Sequence, residues 1–293
     1  MTTADGAAPL ADDTTEPAPE ELALGRYELY DPGKLFAHDS TYINFGYWAE
    51  ATTFTGASEA LTDALARTAG LAPGDRVLDV GFGFGAQDFR WLATYPHSTI
   101  DAVTITASHL AHARSRAERE GLTERITFHR CSATAIEQAF IAGSFDRVLA
   151  LEAAFHFDTR AEFFRQAHTL LRPGGVLAVT DIVPRHPQVT GTDDPLRTSM
   201  FAGMAPEANW YGVDTYRDRL ATAGFDDVEI RSIHGDVFAP YLRAALRTVD
   251  DPEYVERVGT ELADLVRENL SDQAALHAQI DGLDYVLVRA VKS

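Results

Sequence analysis

The stretch Arg76-Val77-Leu78-Asp79-Val80-Gly81-Phe82-Gly83-Phe84-Gly85 decides how the rest of the chain reads. Arg76 to Asp79 carries an apolar pair that ends in an acid, the pattern of a short buried strand. Glycines then alternate with aromatics, which predicts a tight turn where a ligand can approach bare backbone. Gln87 to Thr94 has the composition of a helix. A strand, a glycine turn and a helix start make a ligand site at the carboxyl end of a parallel sheet, so the expected fold class is α/β.

The spacing admits two ligands. Gly81, Gly83 and Ala86 satisfy the dinucleotide pattern G-x-G-x-x-A, whose glycines make room for a pyrophosphate. Two features favour S-adenosylmethionine. Asp79 sits two residues before the first glycine, where a carboxylate faces a cationic group better than a phosphate. The next expected strand, about Thr99 to Thr104, ends in a neutral threonine instead of the acid that would hold a ribose. A glycine turn with no ligand is the bland alternative, and Gly-Phe-Gly-Phe-Gly is a costly sequence for a mere connection.

Leu78 to Gly85 resembles the first motif of class I S-adenosylmethionine-dependent methyltransferases, and the resemblance runs from about Tyr42 to Lys292. It implies a Rossmann-like, mostly parallel seven-stranded sheet with helices on both faces, closed by an antiparallel last strand. An N-terminal lid and an insertion cap are added to that core. It also implies S-adenosylmethionine as cofactor. Asp79 would help hold the methionine amino group, with Gln87 nearby, and Gly81, Gly83 and Gly85 would let backbone pass close to it.

Other segments carry the resemblance further. Ile43-Asn44-Phe45-Gly46-Tyr47-Trp48 is similar to the segment before the core of sugar O-methyltransferases from antibiotic pathways, and to its counterpart in isoprenoid C-methyltransferases. There it lies over the cofactor. This would bring Tyr42 and Trp48 to the cofactor and Phe45, with Tyr30 before it, to the acceptor. An aromatic face near a sulfonium contributes about 0.5–2 kcal/mol. The competing reading is an aromatic staple that packs the segment on the core. Thr104-Ile105-Thr106 with Leu110 resembles a segment that brings Thr104 to the cofactor ribose, with His109 standing where that pattern has glutamine. The alternative for His109 is a surface helix residue. Cys131-Ser132-Ala133 occupies the place of a Gly-Asp-Ala whose acid receives the adenine amino group, and a Ser132 hydroxyl can accept the same bond beside Ala133. Glu152 completes the expected cofactor contacts.

The second informative stretch is Glu152-Ala153-Ala154-Phe155-His156-Phe157, just past an expected core strand. That is where this topology presents groups to a ligand. Phe155 and Phe157 would dry the site, and a neutral imidazole is a good proton acceptor near pH 7. The stretch looks like the base-bearing loop of natural-product O-methyltransferases. The resemblance gives His156 an acidic partner, Asp181, at the end of the expected strand Val176 to Thr180. A carboxylate there would orient the imidazole and stabilise its charged form. The plain readings are a histidine hydrogen-bonded beside the core and an acid that caps a turn.

Composition bounds the rest. A chain of 293 residues with 45% hydrophobic content supports one large domain or one domain with a cap. A net charge of −19 argues against nucleic acid as partner, because phosphate binding needs a basic face. The one cysteine, Cys131, permits no internal disulfide and fits a reducing cytoplasm. No signal peptide and no membrane-spanning run is visible, and no metal-ligand spacing is present.

The expected organisation is an arm over 1–22, a lid over 23–55, the cofactor core over 56–182, a cap over 183–213 and the end of the core over 214–293. The arm leaves room for a homo-oligomer that exchanges it. Phe201, Trp210 and Tyr211, with Phe45 and Phe157, are the expected acceptor contacts. The expected reaction is methyl transfer to a small secondary metabolite, with hydroxyl oxygen favoured because a histidine and acid pair suits its activation. Methylation of a prenyl or terpenoid carbon through a carbocation, with or without cyclisation, is the alternative, because aromatic faces stabilise such a cation. A non-catalytic relative that uses the cofactor as a scaffold, or a dinucleotide oxidoreductase, are the readings from other classes.

Overall fold

A computed structural model describes residues 31, 34, 36–185 and 203–293. The strands are β1 Arg76–Val80, β2 Thr99–Thr104, β3 Ile126–Arg130, β4 Phe145–Leu151, β5 Leu171–Pro184, β6 Asp227–Ser232 and β7 Leu283–Val291. They form a seven-stranded sheet in the order β3-β2-β1-β4-β5-β7-β6. Strands β1 to β5 are parallel, and β7 runs antiparallel to both β5 and β6.

Side chains alternate between the two faces because a strand has a period of two. Val77, Leu149 and Leu151 enter one apolar cluster, whereas Leu78, Val80, Val148 and Ala150 enter the other. Both faces are therefore covered, as a parallel sheet requires. Helices α1 Phe54–Ala69, α2 Ala86–Thr94 and α3 Ala107–Glu120 supply residues to the first cluster. Helices α4 Arg160–Leu170 and α5 Val213–Thr222 cover the second. Helices α6 Phe238–Thr248, α7 Pro252–Val258, α8 Thr260–Asn269 and α9 Gln273–Asp281 lead into β7.

Helix α1 starts at Phe54, because the Thr53 side chain accepts a hydrogen bond from the Gly56 N–H at 3.1 Å and caps it. Helices α7 and α8 are separated at Gly259, whose φ of 85° and ψ of 150° suit glycine alone. Strand β5 continues past Thr180 to Pro184 because β7 accompanies it, with Asp181 opposite Val286 and Pro184 opposite Leu283. Asp181 thus lies inside a strand, not at its end. The strand order reverses between β1 and β4, and the crevice at that switch point carries the candidate site.

Candidate active site

The floor of the crevice is the turn from β1 into α2. Gly81 has φ +88°, and a Cβ there would lie 2.5 Å from the Ala153 Cβ. Gly83 has φ +55°, and its Cβ would lie 3.0 Å from the Ile43 side chain. Both line the pocket as bare backbone. Gly85 does not line it: this residue is the N-cap of α2 and packs towards Ala113 and Phe89.

Asp79 is fully buried beneath the turn. Gln87, on the pocket wall, donates from Nε2 to Asp79 Oδ2 at 3.0 Å and to the Phe82 carbonyl at 2.9 Å. Asp79 and the equally buried Asp88 hydrogen-bond each other, and the Val80 N–H also reaches Asp79. Burial pushes Asp79 up to about 7, and burial with the Asp79 charge holds Asp88 well above the usual carboxylate range. Two adjoining buried carboxyls of this kind share a proton. Asp88 was not among the expected site residues. Its spacing of i, i+3, i+4 with Trp91 and Leu92 is the signal that places it on the buried helix face.

Thr104, His109 and Ala133 line the adjoining wall. The Thr104 hydroxyl accepts the Thr106 N–H at 3.2 Å. His109 is buried against Phe84, ring centroids 4.3 Å apart, so it is not a surface helix residue. Ser132 does not line the pocket, whereas its neighbours Cys131 and Ala133 do. The Ser132 hydroxyl meets the Thr134 hydroxyl at 3.1 Å and accepts the Thr134 N–H at 3.3 Å, closing a local turn.

The N-terminal segment divides between lid and staple. Ile43, Asn44 and Phe45 line the pocket, and Tyr42 and Trp48 do not. Trp48 donates from Nε1 to the Phe45 carbonyl at 2.7 Å, and its backbone N–H reaches the Asp236 carbonyl at 2.7 Å. Its ring meets Phe54 edge-on at 5.2 Å. Tyr42 reaches the Ala86 carbonyl at 3.5 Å. The anchor residues thus hold Phe45 over the crevice, and the expected cofactor contacts of Tyr42 and Trp48 are replaced by packing.

The opposite wall follows β4. Glu152 adopts a left-handed φ of +51°, and its N–H donates to the Thr180 hydroxyl at 2.9 Å. Its Oε2 accepts the Phe45 N–H at 2.9 Å and the Tyr285 hydroxyl at 2.5 Å. Burial pushes its carboxyl up to about 8. A 3₁₀ turn, Ala154–His156, then brings His156 to the pocket beside Phe155 and Phe157. The His156 Nδ1 lies 3.0 Å from the carbonyl oxygen of Met204, 48 residues away. A carbonyl can only accept, so Nδ1 carries the hydrogen and Nε2 keeps the lone pair. Burial, with the Arg160 charge adding to it, lowers the imidazole to about 4 and keeps it neutral.

Asp181 does not partner His156. It is fully buried, 3.2 Å from Arg160 Nε, and it accepts the Tyr216 hydroxyl at 3.0 Å and the Ile182 N–H at 2.9 Å. The pairing fails because β5 continues through Asp181, under a helix that delivers Arg160 to it. Burial raises the Asp181 pKa, and Arg160 opposes this. Tyr211 lies under the same guanidinium, 4.7 Å from ring centroid to Arg160 Cζ, and does not line the pocket. Trp210 donates to the Ala205 carbonyl at 2.9 Å within its own loop and does not line the pocket, whereas Met204 does. Tyr30 and Phe201 lie outside the described residues, as do the arm expected over 1–22 and residues 186–202 of the expected cap.

Among the described lining residues Glu152 is the one acid, and none is lysine or arginine. Bare glycine backbone, a carboxyl buried beneath it and a described wall without lysine or arginine suit a ligand that carries positive charge near the turn.

The comparisons agree with this geometry. A methyltransferase domain family matches residues 77–175. Erythromycin 3''-O-methyltransferase of Saccharopolyspora erythraea is 38% identical over 284 residues, spanning 95% of this chain and 92% of that protein. The 27-O-demethylrifamycin SV methyltransferase of Amycolatopsis mediterranei is 34% identical over 235 residues, covering 80% and 84%. A cyclopropane synthase structure from Mycobacterium tuberculosis superposes with a TM-score of 0.74 at 21% identity, over 96% of this chain and 100% of that one. This last likeness is one of fold, and no helix among the described residues is long and apolar enough to cross a membrane.

Proposed function

The chain belongs to the S-adenosylmethionine-dependent methyltransferases, and from that premise we propose that it methylates a hydroxyl of a secondary metabolite with His156 as proton acceptor. When bound, the cofactor supplies an electrophilic methyl group on a sulfonium. Gly81 and Gly83 would hold it with bare backbone, Thr104 and Ala133 along the wall, and Asp79 from beneath. His109, Gln87 and Glu152 complete the enclosure.

The single observation that carries the reading is the His156 contact with the Met204 carbonyl. It leaves the Nε2 lone pair as the proton-accepting atom of a ring kept neutral by burial. Phe45, Phe155 and Phe157 exclude water beside it. Much of the rate would come from holding acceptor and methyl in line, and His156 adds removal of the hydroxyl proton. Asp181 has a structural task in this reading, as the counter-ion of Arg160. The names of two relatives, an erythromycin and a rifamycin O-methyltransferase, support an antibiotic-type metabolite as acceptor.

The test is a panel of hydroxylated antibiotic intermediates and a panel of prenylated metabolites, each incubated with cofactor and analysed by mass spectrometry and NMR. The proposal expects a new O-methyl signal, greatly reduced in His156→Ala. A methyl group on carbon would refute it.

A further inference from the structure

The loop that supplies the Met204 carbonyl holds one fully buried amide, Asn209. Each of its side-chain hydrogen bonds goes to the loop around His156. The Arg160 backbone N–H donates to Oδ1 at 2.9 Å. Nδ2 donates to the Phe155 carbonyl at 3.1 Å and to the Phe157 carbonyl at 2.7 Å. The amide therefore grips the chain immediately before and immediately after His156.

The rest of the loop is braced on itself. The Asn209 N–H reaches the Pro206 carbonyl at 2.8 Å, and the Trp210 N–H reaches the Glu207 carbonyl at 3.0 Å. Trp210 Nε1 adds a bond to the Ala205 carbonyl at 2.9 Å. A self-braced loop stapled at Asn209 has little freedom to slide against His156. The staple thus fixes the 3.0 Å approach of the Met204 carbonyl to Nδ1, a contact between segments 48 residues apart.

We propose that Asn209 is a positioning residue which sets the tautomer and the aim of His156 by holding the Met204 carbonyl against Nδ1. The task demands an amide. It needs two N–H donors for two carbonyls and one acceptor for a backbone N–H, on one short side chain. An aspartate would turn an oxygen towards two carbonyl oxygens, and an alanine would leave all three groups unmatched.

The inference rests on the reading of His156 as proton acceptor for its consequence in rate, but its structural part can be read without turnover. The experiment records ¹⁵N shifts of the His156 ring in wild type, Asn209→Ala and Asn209→Ser at pH 7.5, beside kcat, KM and the Kd for S-adenosylhomocysteine. The expected wild-type ring is protonated at Nδ1. The variants are expected to populate the other tautomer and to lose about tenfold or more in kcat, part of the roughly 10²–10⁴-fold attributed to a positioned base. Their Kd should stay within about twofold, because the cofactor floor lies on other elements. A wild-type ring protonated at Nε2, or a variant that folds with an unchanged tautomer, overturns the inference. If the tautomer shifts as expected while His156→Ala keeps full activity, Asn209 positions the ring and the proposed role of His156 is what fails.

Discussion

The two walls of the crevice are built in opposite ways. The floor is local: β1, the glycine turn and the start of α2 are consecutive, and Asp79, Gly81, Gly83 and Gln87 lie within nine residues of one another. The wall that follows β4 is assembled from afar. Glu152 is held by Phe45, Thr180 and Tyr285, and His156 by a carbonyl 48 residues on. The floor needs special backbone at glycines, where it costs little. The wall places a left-handed backbone on Glu152, a glutamate, and long-range hydrogen bonds stabilise it. A floor of this kind suits a shared cofactor, and a wall of this kind can be re-aimed for a particular acceptor by changing distant segments.

The largest effect that sharpens this contrast is expected at Asp181. Asp181→Ala would leave the buried Arg160 charge without its counter-ion, which costs about 3–5 kcal/mol. Urea unfolding should reveal that loss. If the variant is as stable as wild type but slow in catalysis, Asp181 serves the reaction and the two walls are less distinct than described.

A smaller effect is expected on the floor. Gly81→Ala adds a Cβ at 2.5 Å from the Ala153 Cβ on a left-handed backbone, and overpacking of this sort costs about 1–3 kcal/mol. Calorimetry should show weaker S-adenosylhomocysteine binding. Gly85→Ala, away from the pocket, should lower the melting temperature and leave that affinity nearly unchanged.

The smallest effect concerns the shared proton of Asp79 and Asp88. The folded Asp79 pKa is raised to about 7, so its carboxylate is mostly neutral below that pH and charged above it. Affinity for the cationic amino group should therefore rise as pH rises through about 7, by roughly tenfold between pH 6 and 8 if the charged form alone binds. Burial raises Asp79 and its hydrogen bond with Asp88 opposes this, so Asp88→Ala, which removes that bond, should move the rise in affinity to higher pH. A dependence of opposite sign would show that the neutral carboxyl is the binding form.

Legibility followed the same division. The floor could be read because its chemistry sits in one stretch, and the β-α alternation around it announces a parallel sheet. The antiparallel β7 follows from the family resemblance, and the pairing of β5 with β7 agrees with it. The partner of His156 could not be read, because a backbone carbonyl leaves no mark in residue identity and Met204 looks merely apolar. Asp181 misled for a related reason. An acid after an apolar strand looks exposed, and only the continuation of β5 beside β7, with Arg160 arriving from α4, shows it to be a buried counter-ion. Trp48 and Tyr42 gave no sign of which aromatics of their segment would face inward, since the segment has no regular period.

The most direct test is the pH dependence of single-turnover methyl transfer at saturating cofactor, in wild type and His156→Ala. A ring whose pKa is lowered to about 4 stays neutral as pH falls, so the wild-type rate should be nearly level from pH 8 to 6. The variant should be slower by about a hundredfold or more at every pH, the usual scale for a lost general base. A wild-type rate that halves near the ordinary imidazole value of 6.5, or a variant as fast as wild type, would contradict the account.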